Sequence, residues 1–214
     1  SRGYFFESYN HNSFKQKITA QLALLITSVI CVIAIFIVNE FTKKKITLNK
    51  KKATLAIITE TLPLVYDNDV FTDSINFDVP LEINSTGSIR VYRARLNDQP
   101  VAISVMPVIT KGYNGNISLI VGIRYDGTLT RVKVLQHNET EGFGDQVHQD
   151  KTDWLQNFNN TAISALAEKQ WAIKKDDDGF DQLSGATVTS RSIIDIIYKT
   201  LEYYSENRDK FYEN

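Results

Sequence analysis

Residues 116–136 read NISLIVGIRYDGTLTRVKVLQ, two runs rich in β-branched residues on either side of Tyr125-Asp126-Gly127. An Asp-Gly pair between two such runs is typical of the tight turn of a β-hairpin. We therefore predict strands over 116–124 and 128–136 that pair antiparallel with each other.

Two stretches upstream predict further strands of the same sheet. Residues 88–96 (SIRVYRARL) alternate apolar and polar side chains, as a half-buried strand does. Residues 100–109 form another apolar run rich in β-branched side chains. Four strands that follow one another closely along the chain indicate a mainly antiparallel sheet.

The last third of the chain shows mainly helical patterns. Residues 152–158 and 162–168 are predicted to be helical, residues 170–174 form a short predicted strand, and a longer helix is predicted over 187–206. The apolar residues of this last helix that recur at helical spacing on one face are Ile193, Ile194, Ile197, Leu201 and Tyr204. The predicted fold is α+β, with the sheet packed by helices.

A long apolar segment near the N-terminus predicts a membrane anchor. Residues 18–38 contain no charged side chain. At about 1.5 Å per residue they extend over roughly 31 Å, close to the ~30 Å hydrocarbon core of a bilayer. A cleaved signal peptide would have a shorter apolar region followed by a site of small residues. We therefore predict an uncleaved transmembrane helix, followed by a helical juxtamembrane segment over 43–62.

Composition excludes several classes of function. The chain has 214 residues and a formal net charge of −1, so it lacks the basic field of a nucleic-acid binder. Cys31 is the single cysteine, which rules out an internal disulfide, a CxxC pair and a set of iron–sulfur ligands within this chain. No P-loop, dinucleotide GxGxxG or Ser-His-Asp pattern is present, so the sequence shows no site for NADH.

The most informative motif is DQLSGATVTS, residues 181–190, at the start of the predicted C-terminal helix. Gly185 allows the backbone to turn and approach another group closely, and the small Ala186 leaves room beside it. Hydroxyl groups at a helix N-terminus suit a phosphate ester, because the N–H groups and the helix dipole favour a phosphate there. Ordinary N-capping by Ser or Thr explains the same residues, and the motif alone leaves both interpretations open.

Asp181-x-x-Ser184-Gly185-Ala186-Thr187 resembles the flavinylation motif of FMN-binding domains. Such domains occur in the G subunit of Rnf electron-transport complexes and in the C subunit of sodium-pumping NADH:quinone reductase. The resemblance implies FMN joined to Thr187 by a phosphoester, with Thr187 acting as a tether. It also implies that Gly185 and Ala186 make space and that Ser184 steadies the phosphate. A role for Asp181 in recognition by the flavin transferase follows from the same resemblance.

Three further segments resemble the Rnf G subunit. They are residues 112–117 (GYNGNI), 137–145 (HNETEGFGD), and 171–176 (WAIKKD) with 180–182 (FDQ). The second segment departs from the family pattern, since Glu141 replaces a usual Pro and Phe143 a usual Leu. These departures put in question how this loop packs on the flavin ring. The further residues that the resemblance implies in FMN binding are Tyr113, Glu139, Thr140, Gly142, Phe143 and Gly144.

Two other sets of residues have simpler interpretations. His137, Glu139, Asp145 and His148 are chemically able to bind a transition metal, but their spacing fits no compact site, and we predict no metal. The two tryptophans, Trp154 and Trp171, are predicted to lie in the core, although Trp154 is near enough to the glycine loop in sequence to contact a flavin edge.

The resemblance also implies a topology and a set of domains. The predicted segments are a cytoplasmic tail (1–17), the transmembrane helix (18–38), a juxtamembrane helix and connecting region (39–87), the FMN-binding domain (88–206) and a C-terminal tail (207–214). Six lysines between positions 43 and 52 argue for a cytoplasmic C-terminal domain, but long domains are weakly governed by flanking charge. The resemblance implies a bacterial inner-membrane protein with a periplasmic FMN-binding domain.

Partners and function are implied by the same resemblance. The partners would be the A, B, C, D and E subunits of the Rnf complex, which hold the NADH site, the iron–sulfur clusters and the ion path, together with a flavin transferase. The chain would be the electron-carrying subunit of an ion-translocating ferredoxin/NADH oxidoreductase and would not be catalytic alone. A membrane-anchored sensor module and a structural assembly subunit remain as alternatives, and a covalent flavin would separate the first interpretation from both.

Overall fold

The computed structural model describes residues 3–165, 170–173 and 179–213, and for residues 3–20 and Lys44 it describes the backbone alone. Two compact units are present, with their boundary between Ala53 and Thr54. The described residues of the first unit are all helical, and the second contains the sheet and the candidate site.

Helix α1 spans Gly3–Thr61 and includes the predicted anchor. Within Gln21–Thr61 the helix contains a stretch that is apolar and long enough to cross a membrane, and between Leu22 and Val38 its large apolar side chains are exposed. The hydroxyls of Thr27 and Ser28 donate to helix carbonyls at 3.0 and 2.8 Å, so these polar side chains are satisfied within the helix. The prediction of one apolar helix of membrane-spanning length is confirmed.

Five strands form one antiparallel sheet in chain order. They are β1 (Ser74–Asp78), β2 (Ser88–Leu96), β3 (Gln99–Lys111), β4 (Asn116–Arg124) and β5 (Leu129–Gln136). The hairpin between β4 and β5 turns at Gly127, where φ is +88°. The predicted α+β class, the four predicted strands and this turn are confirmed, and β1 is an additional strand at the sheet edge.

Both faces of the sheet are covered, which explains the almost unbroken apolar runs in β3 and β4. One face packs against helix α2 (Thr187–Asn207), through core residues such as Val91, Leu119 and Ile197. All five apolar residues predicted on one face of α2 are at most 1% exposed. The other face packs against the last turns of α1 and the residues that follow it, through Ile58, Leu62, Val70, Tyr92, Ala94, Ala102 and Ile120.

Three of the shorter predicted elements differ in the structure. In place of the helix predicted over 152–158, the structure has a 3₁₀ turn at Trp154–Phe158. The described part of the helix predicted over 162–168 contains a 3₁₀ turn at Ile163–Ala165, and residues 166–168 are not among the described residues. Residues 170–173 form no strand, although Ile173 makes a single β-bridge to Phe180. Lys174, the last residue of the predicted strand, is not among the described residues. Residues 160–162 instead pair with β5 and the residue before it: Thr128 bridges Ala162, and Leu129 exchanges backbone hydrogen bonds with Asn160 and Thr161 at 2.8 and 2.9 Å.

Residues near the C-terminus are held by two arginines of β2. Arg93 donates to the Glu213 carbonyl at 2.8 Å and Arg95 to the Tyr212 carbonyl at 3.1 Å. Both guanidinium groups also pair with Asp73, at 2.5 and 2.8 Å. The Asp73 carboxylate compensates the two largely buried positive charges. The two arginines in turn hold residues 212 and 213 against the sheet.

Lys133 on β5 forms an ion pair with Glu60 in the last turn of α1. The hydrogen bond and charge of Lys133 lower the pKa of Glu60 below its usual 4.5. A group whose pKa is lowered by folding contributes stability above its unfolded pKa and loses it as the pH falls through its folded pKa. Because the Glu60 side chain is 50% exposed, the contribution is that of a surface pair, about 0.5 kcal/mol.

We expect Lys133→Gln to lower the urea unfolding midpoint of the chain in detergent at pH 7 and to have a smaller effect at acid pH, because the ion pair weakens as the pH falls through the lowered pKa of Glu60. Lys210→Gln is the matched control, because the Lys210 ammonium bonds the Asn207 amide and not a carboxylate. Equal losses at both pH values for Lys133→Gln would contradict the assigned pairing.

Candidate functional site

The turn that precedes α2 is fixed by Ser190. Its hydroxyl accepts a hydrogen bond from the Leu183 N–H and donates one to the Ala186 carbonyl, both at 3.0 Å. The Ala186 N–H also donates to the Leu183 carbonyl at 3.1 Å. Gly185 lies inside this turn with φ at +70°, a left-handed conformation that favours glycine. The turn therefore presents residues 185–187 in one defined arrangement.

Helix α2 begins at Thr187 without a side-chain cap. Its N-cap residue is Ala186, and none of the described side chains caps the helix start. The interpretation of the motif as ordinary Ser or Thr capping is therefore wrong for this helix. An uncapped N-terminus leaves free N–H groups and the positive end of the helix dipole available to an anion.

Thr187 lies at this helix start and lines a cavity of about 470 Å³. Its half-buried hydroxyl donates a hydrogen bond to Gln182 Oε1 at 2.9 Å. A cavity of this size lies in the usual range for a small-molecule site. The lining residues are Tyr113, Glu139, Thr140, Phe143, Gly144, Gly185, Ala186, Thr187, Val188 and Thr189.

Most of the residues predicted at the site meet at this cavity, and three do not line it. Gly142 has φ at +81° and its carbonyl accepts a hydrogen bond from Gln146, so it shapes the neighbouring loop. Ser184 and Asp181 are exposed and are absent from the cavity lining. The Asp181 backbone carbonyl accepts a hydrogen bond from Trp154 Nε1 at 2.6 Å. Both tryptophans are 7% exposed and belong to the core, as predicted, and neither lines the cavity.

Glu139 is a buried carboxylate in the cavity wall, and three separate segments of the chain meet at it. Its Oε2 accepts a hydrogen bond from the Thr189 hydroxyl at 2.6 Å, and its Oε1 accepts one from the Asn114 N–H at 3.1 Å. Two glycines make room for it. A Cβ on Gly112 would lie 2.9 Å from Glu139 Cδ, and one on Gly144 would lie 2.9 Å from Glu139 Cβ. Any side chain at either glycine would therefore displace the carboxylate.

The rim of the cavity is apolar and exposed. Tyr113, Phe143 and Val188 are 76%, 56% and 49% exposed, unusual values for large apolar side chains. Exposed apolar side chains that surround a cavity with polar groups in its wall mark a ligand or partner site. Thr189 and Val188 were not predicted as site residues, although they directly follow Thr187 on the helix.

The residues considered as metal ligands are close together but form no metal site. The rings of His137 and His148 lie 6.0 Å apart, and the Glu139 carboxylate is already bonded to Thr189 and Asn114. The described part of the chain holds no group of three or more His, Cys, Asp or Glu side chains that could bind a metal ion.

Gly185→Ala is expected to destabilise the chain in two separable ways. The left-handed backbone costs an Ala about 1 kcal/mol, and its Cβ would lie 2.9 Å from Phe143 Cδ1, so the ring must also move. Gly127→Ala is the matched control, because Gly127 has φ at +88° but nothing within 4 Å of the added Cβ. We expect a larger fall of the urea midpoint for Gly185→Ala, and equal falls would contradict the contact with Phe143.

The cavity lies within a stretch of the chain that matches a known protein family. The model of a family described as the FMN-binding domain matches residues 112–202, which include every residue lining the cavity. The chain is 33% identical over 186 residues to the G subunit of the ion-translocating oxidoreductase complex of Shewanella amazonensis, covering 86% of each protein. It is 34% identical over 172 residues to the protein of the same name from Pseudoalteromonas atlantica, covering 80% of each.

Two solved structures are also similar to this chain. The first is the C subunit of the Na(+)-translocating NADH-quinone reductase from Parabacteroides distasonis, with 19% identity and a TM-score of 0.45, covering 69% of this chain and 72% of that chain. The second is Shewanella oneidensis NqrC, with 22% identity and a TM-score of 0.43, covering 68% of this chain and 73% of that one.

Proposed function

Because this chain belongs to the family formed by the G subunits of ion-translocating oxidoreductase complexes, we propose that it carries FMN as a phosphoester on Thr187. With its FMN-binding domain, the chain is an electron-carrying redox subunit of an ion-translocating oxidoreductase complex. The sequence motifs and the two relatives, which match 86% and 80% of the chain, agree on this family. The proposed attachment to Thr187 rests on the geometry of the cavity.

One observation carries the attachment to Thr187: its hydroxyl lies at the uncapped start of α2 and lines the cavity. A phosphate joined to this oxygen meets the free N–H groups and the positive end of the helix dipole, which stabilise its negative charge. Gly185 and Ala186 add no bulk beside the ester. Thr187 therefore serves as a tether that keeps a cofactor in a site open to solvent.

The cavity suits the other parts of FMN. The apolar side chains of Phe143, Tyr113 and Val188 can cover an aromatic ring, and the Glu139 carboxylate in the wall can accept hydrogen bonds from ring N–H or ribityl hydroxyl groups. When bound, FMN supplies one- and two-electron redox chemistry, which this chain's own side chains do not offer. The exposed rim leaves the cofactor accessible to an electron donor and an acceptor.

Partners and topology are further parts of the proposal. We propose that the partners are the A, B, C, D and E subunits of the Rnf complex, and that a flavin transferase attaches the FMN. The FMN-binding domain, proposed over residues 88–206, would lie in the periplasm of a bacterium, with the tail before the helix in the cytoplasm. Alkaline phosphatase fused after Asn214 should then be active in cells, and an inactive fusion at normal expression would contradict this orientation.

The mass of the intact chain tests the covalent attachment. The chain is produced in membranes together with a flavin transferase, then denatured and analysed by mass spectrometry. We expect a mass increase equal to FMN less one water, together with a band that fluoresces under ultraviolet light on a denaturing gel. An unmodified mass and a dark band would refute the attachment. Rapid reduction of the bound flavin in the assembled complex would separate an electron carrier from a sensor.

A further inference from the structure

We propose that Gln182 is a positioning residue that orients the Thr187 hydroxyl for FMN attachment and, once the ester has formed, donates a hydrogen bond to its phosphate. This inference rests on the proposed attachment of FMN to Thr187. It assigns a role to a side chain that lies outside the cavity lining.

The structure holds Gln182 beside Thr187 through its two neighbours in the chain. The Asp181 carbonyl accepts a hydrogen bond from buried Trp154 at 2.6 Å, and the N–H of Leu183, itself 5% exposed, donates to Ser190 at 3.0 Å. The backbone on either side of Gln182 is therefore fixed. Its exposed side chain remains able to rotate, and it accepts the Thr187 hydroxyl at 2.9 Å.

Before attachment, this hydrogen bond selects one orientation of the Thr187 hydroxyl. Its hydrogen points to Gln182 Oε1, so the oxygen lone pairs point away from Gln182. Attachment requires an activated donor, which we take to be a flavin nucleotide phosphoanhydride presented by the transferase. The Thr187 O–H bond breaks and an Oγ1–P bond forms. The anhydride P–O bond breaks, the second phosphate leaves, and one proton is released to solvent.

After attachment, the contact between Gln182 and Thr187 has to change. The ester oxygen of Thr187 carries no hydrogen, so Gln182 Oε1 would face an oxygen that can only accept, next to a negatively charged phosphate. Rotation of the terminal amide by about 180° places Nε2 there, where its N–H can donate to a phosphate oxygen. A side-chain amide serves both states because it contains an acceptor and a donor. A carboxylate only accepts hydrogen bonds, so it suits the free hydroxyl but not the phosphoester, and a thioether suits neither state.

Three variants test the proposal. Gln182→Met keeps the length of the side chain but removes both functions, and we expect attachment of FMN to slow about three- to tenfold, the value of one hydrogen bond. Gln182→Glu should attach FMN more slowly than Gln182→Met, because its carboxylate repels the incoming phosphate. Gln156→Met is the matched control, since Gln156 bonds Asp153 away from the site, and should attach FMN at the parent rate.

The measurements are a time course of in-gel flavin fluorescence for the full chain made with its transferase, and the ³¹P NMR resonance of each loaded chain. We expect Gln182→Met to move the ³¹P resonance and Gln156→Met to leave it in place. Parent-like attachment by Gln182→Met or Gln182→Glu, or an unmoved resonance in Gln182→Met, would overturn the proposal. A parent chain that carries no flavin would refute the attachment at Thr187 itself.

Discussion

Thr187→Ala is expected to abolish covalent flavin completely while leaving the fold intact. The substitution removes the only oxygen proposed to form the ester. In the bare chain the Thr187 hydroxyl makes a single described hydrogen bond, to exposed Gln182, so its loss costs at most about 1 kcal/mol. Alanine also suits the first position of a helix. In-gel fluorescence and intact mass measure the flavin, and circular dichroism measures the fold.

Three substitutions serve as controls for this result. Thr187→Ser keeps a hydroxyl at the same position and should retain flavin. Thr189→Ser tests the neighbouring threonine, whose buried hydroxyl donates to Glu139 at 2.6 Å and is needed for the cavity wall. Thr189→Ala should also keep the ester but lose stability, because it leaves one oxygen of Glu139 without that donor. Flavin retained in Thr187→Ala, or lost only in Thr189→Ala, would place the attachment elsewhere.

Gly122→Ala is expected to be the most destabilising single substitution considered for this chain. Gly122 lies in β4, where the last turn of α1 packs against the sheet. An added Cβ would lie 2.9 Å from the carbonyl carbon of Thr61 and would overlap its oxygen and Thr130 Oγ1. The Thr130 hydroxyl donates to that same carbonyl, and the Thr61 and Ser104 hydroxyls bond each other at 2.8 Å. Since the obstacle is mainly backbone, it cannot rotate away.

We expect Gly122→Ala to lower the free energy of unfolding by about 3 kcal/mol, the upper range for overpacking a core. Urea unfolding of the chain in detergent measures the loss, and hydrogen exchange should rise in residues 54–62, which pack on this face. Adding Thr130→Ala removes the flexible obstacle and leaves the Thr61 carbonyl. The double variant should therefore stay strongly destabilised, and full recovery of stability would show that Thr130 alone was the obstacle.

Local patterns predicted most of this fold, and non-local pairing explains the misses. The hairpin at Gly127 and helix α2 follow from turn chemistry and periodicity within about twenty residues. β1 has five residues and gains its strand conformation by pairing with β2. The spacing of Trp154 and Phe158 imitates a helix, but the pairing of Thr128 with Ala162 and the positive φ of Asn160 end the turn early.

The candidate site was predicted unevenly for a similar reason. Thr187, Gly185 and Ala186 belong to one short motif, which a resemblance can identify. The hydrogen bond between Glu139 and Thr189 joins residues 50 positions apart, and no spacing rule predicts it. Gln182 was part of the quoted motif but had no predicted role, because its contact with Thr187 depends on how the turn around Gly185 folds back.

The position of Glu139 makes binding of the cofactor depend on the folded state of the domain. Its carboxylate joins the loop after β3, the loop after β5 and the first turn of α2, and each contributes part of the wall around the proposed flavin. Unfolding separates these three parts together, so the chamber exists only in the native domain. A ligand held there favours the native state by mass action. The loaded chain should accordingly resist denaturation better than the bare polypeptide, which makes the prosthetic group a component of the protein's stability.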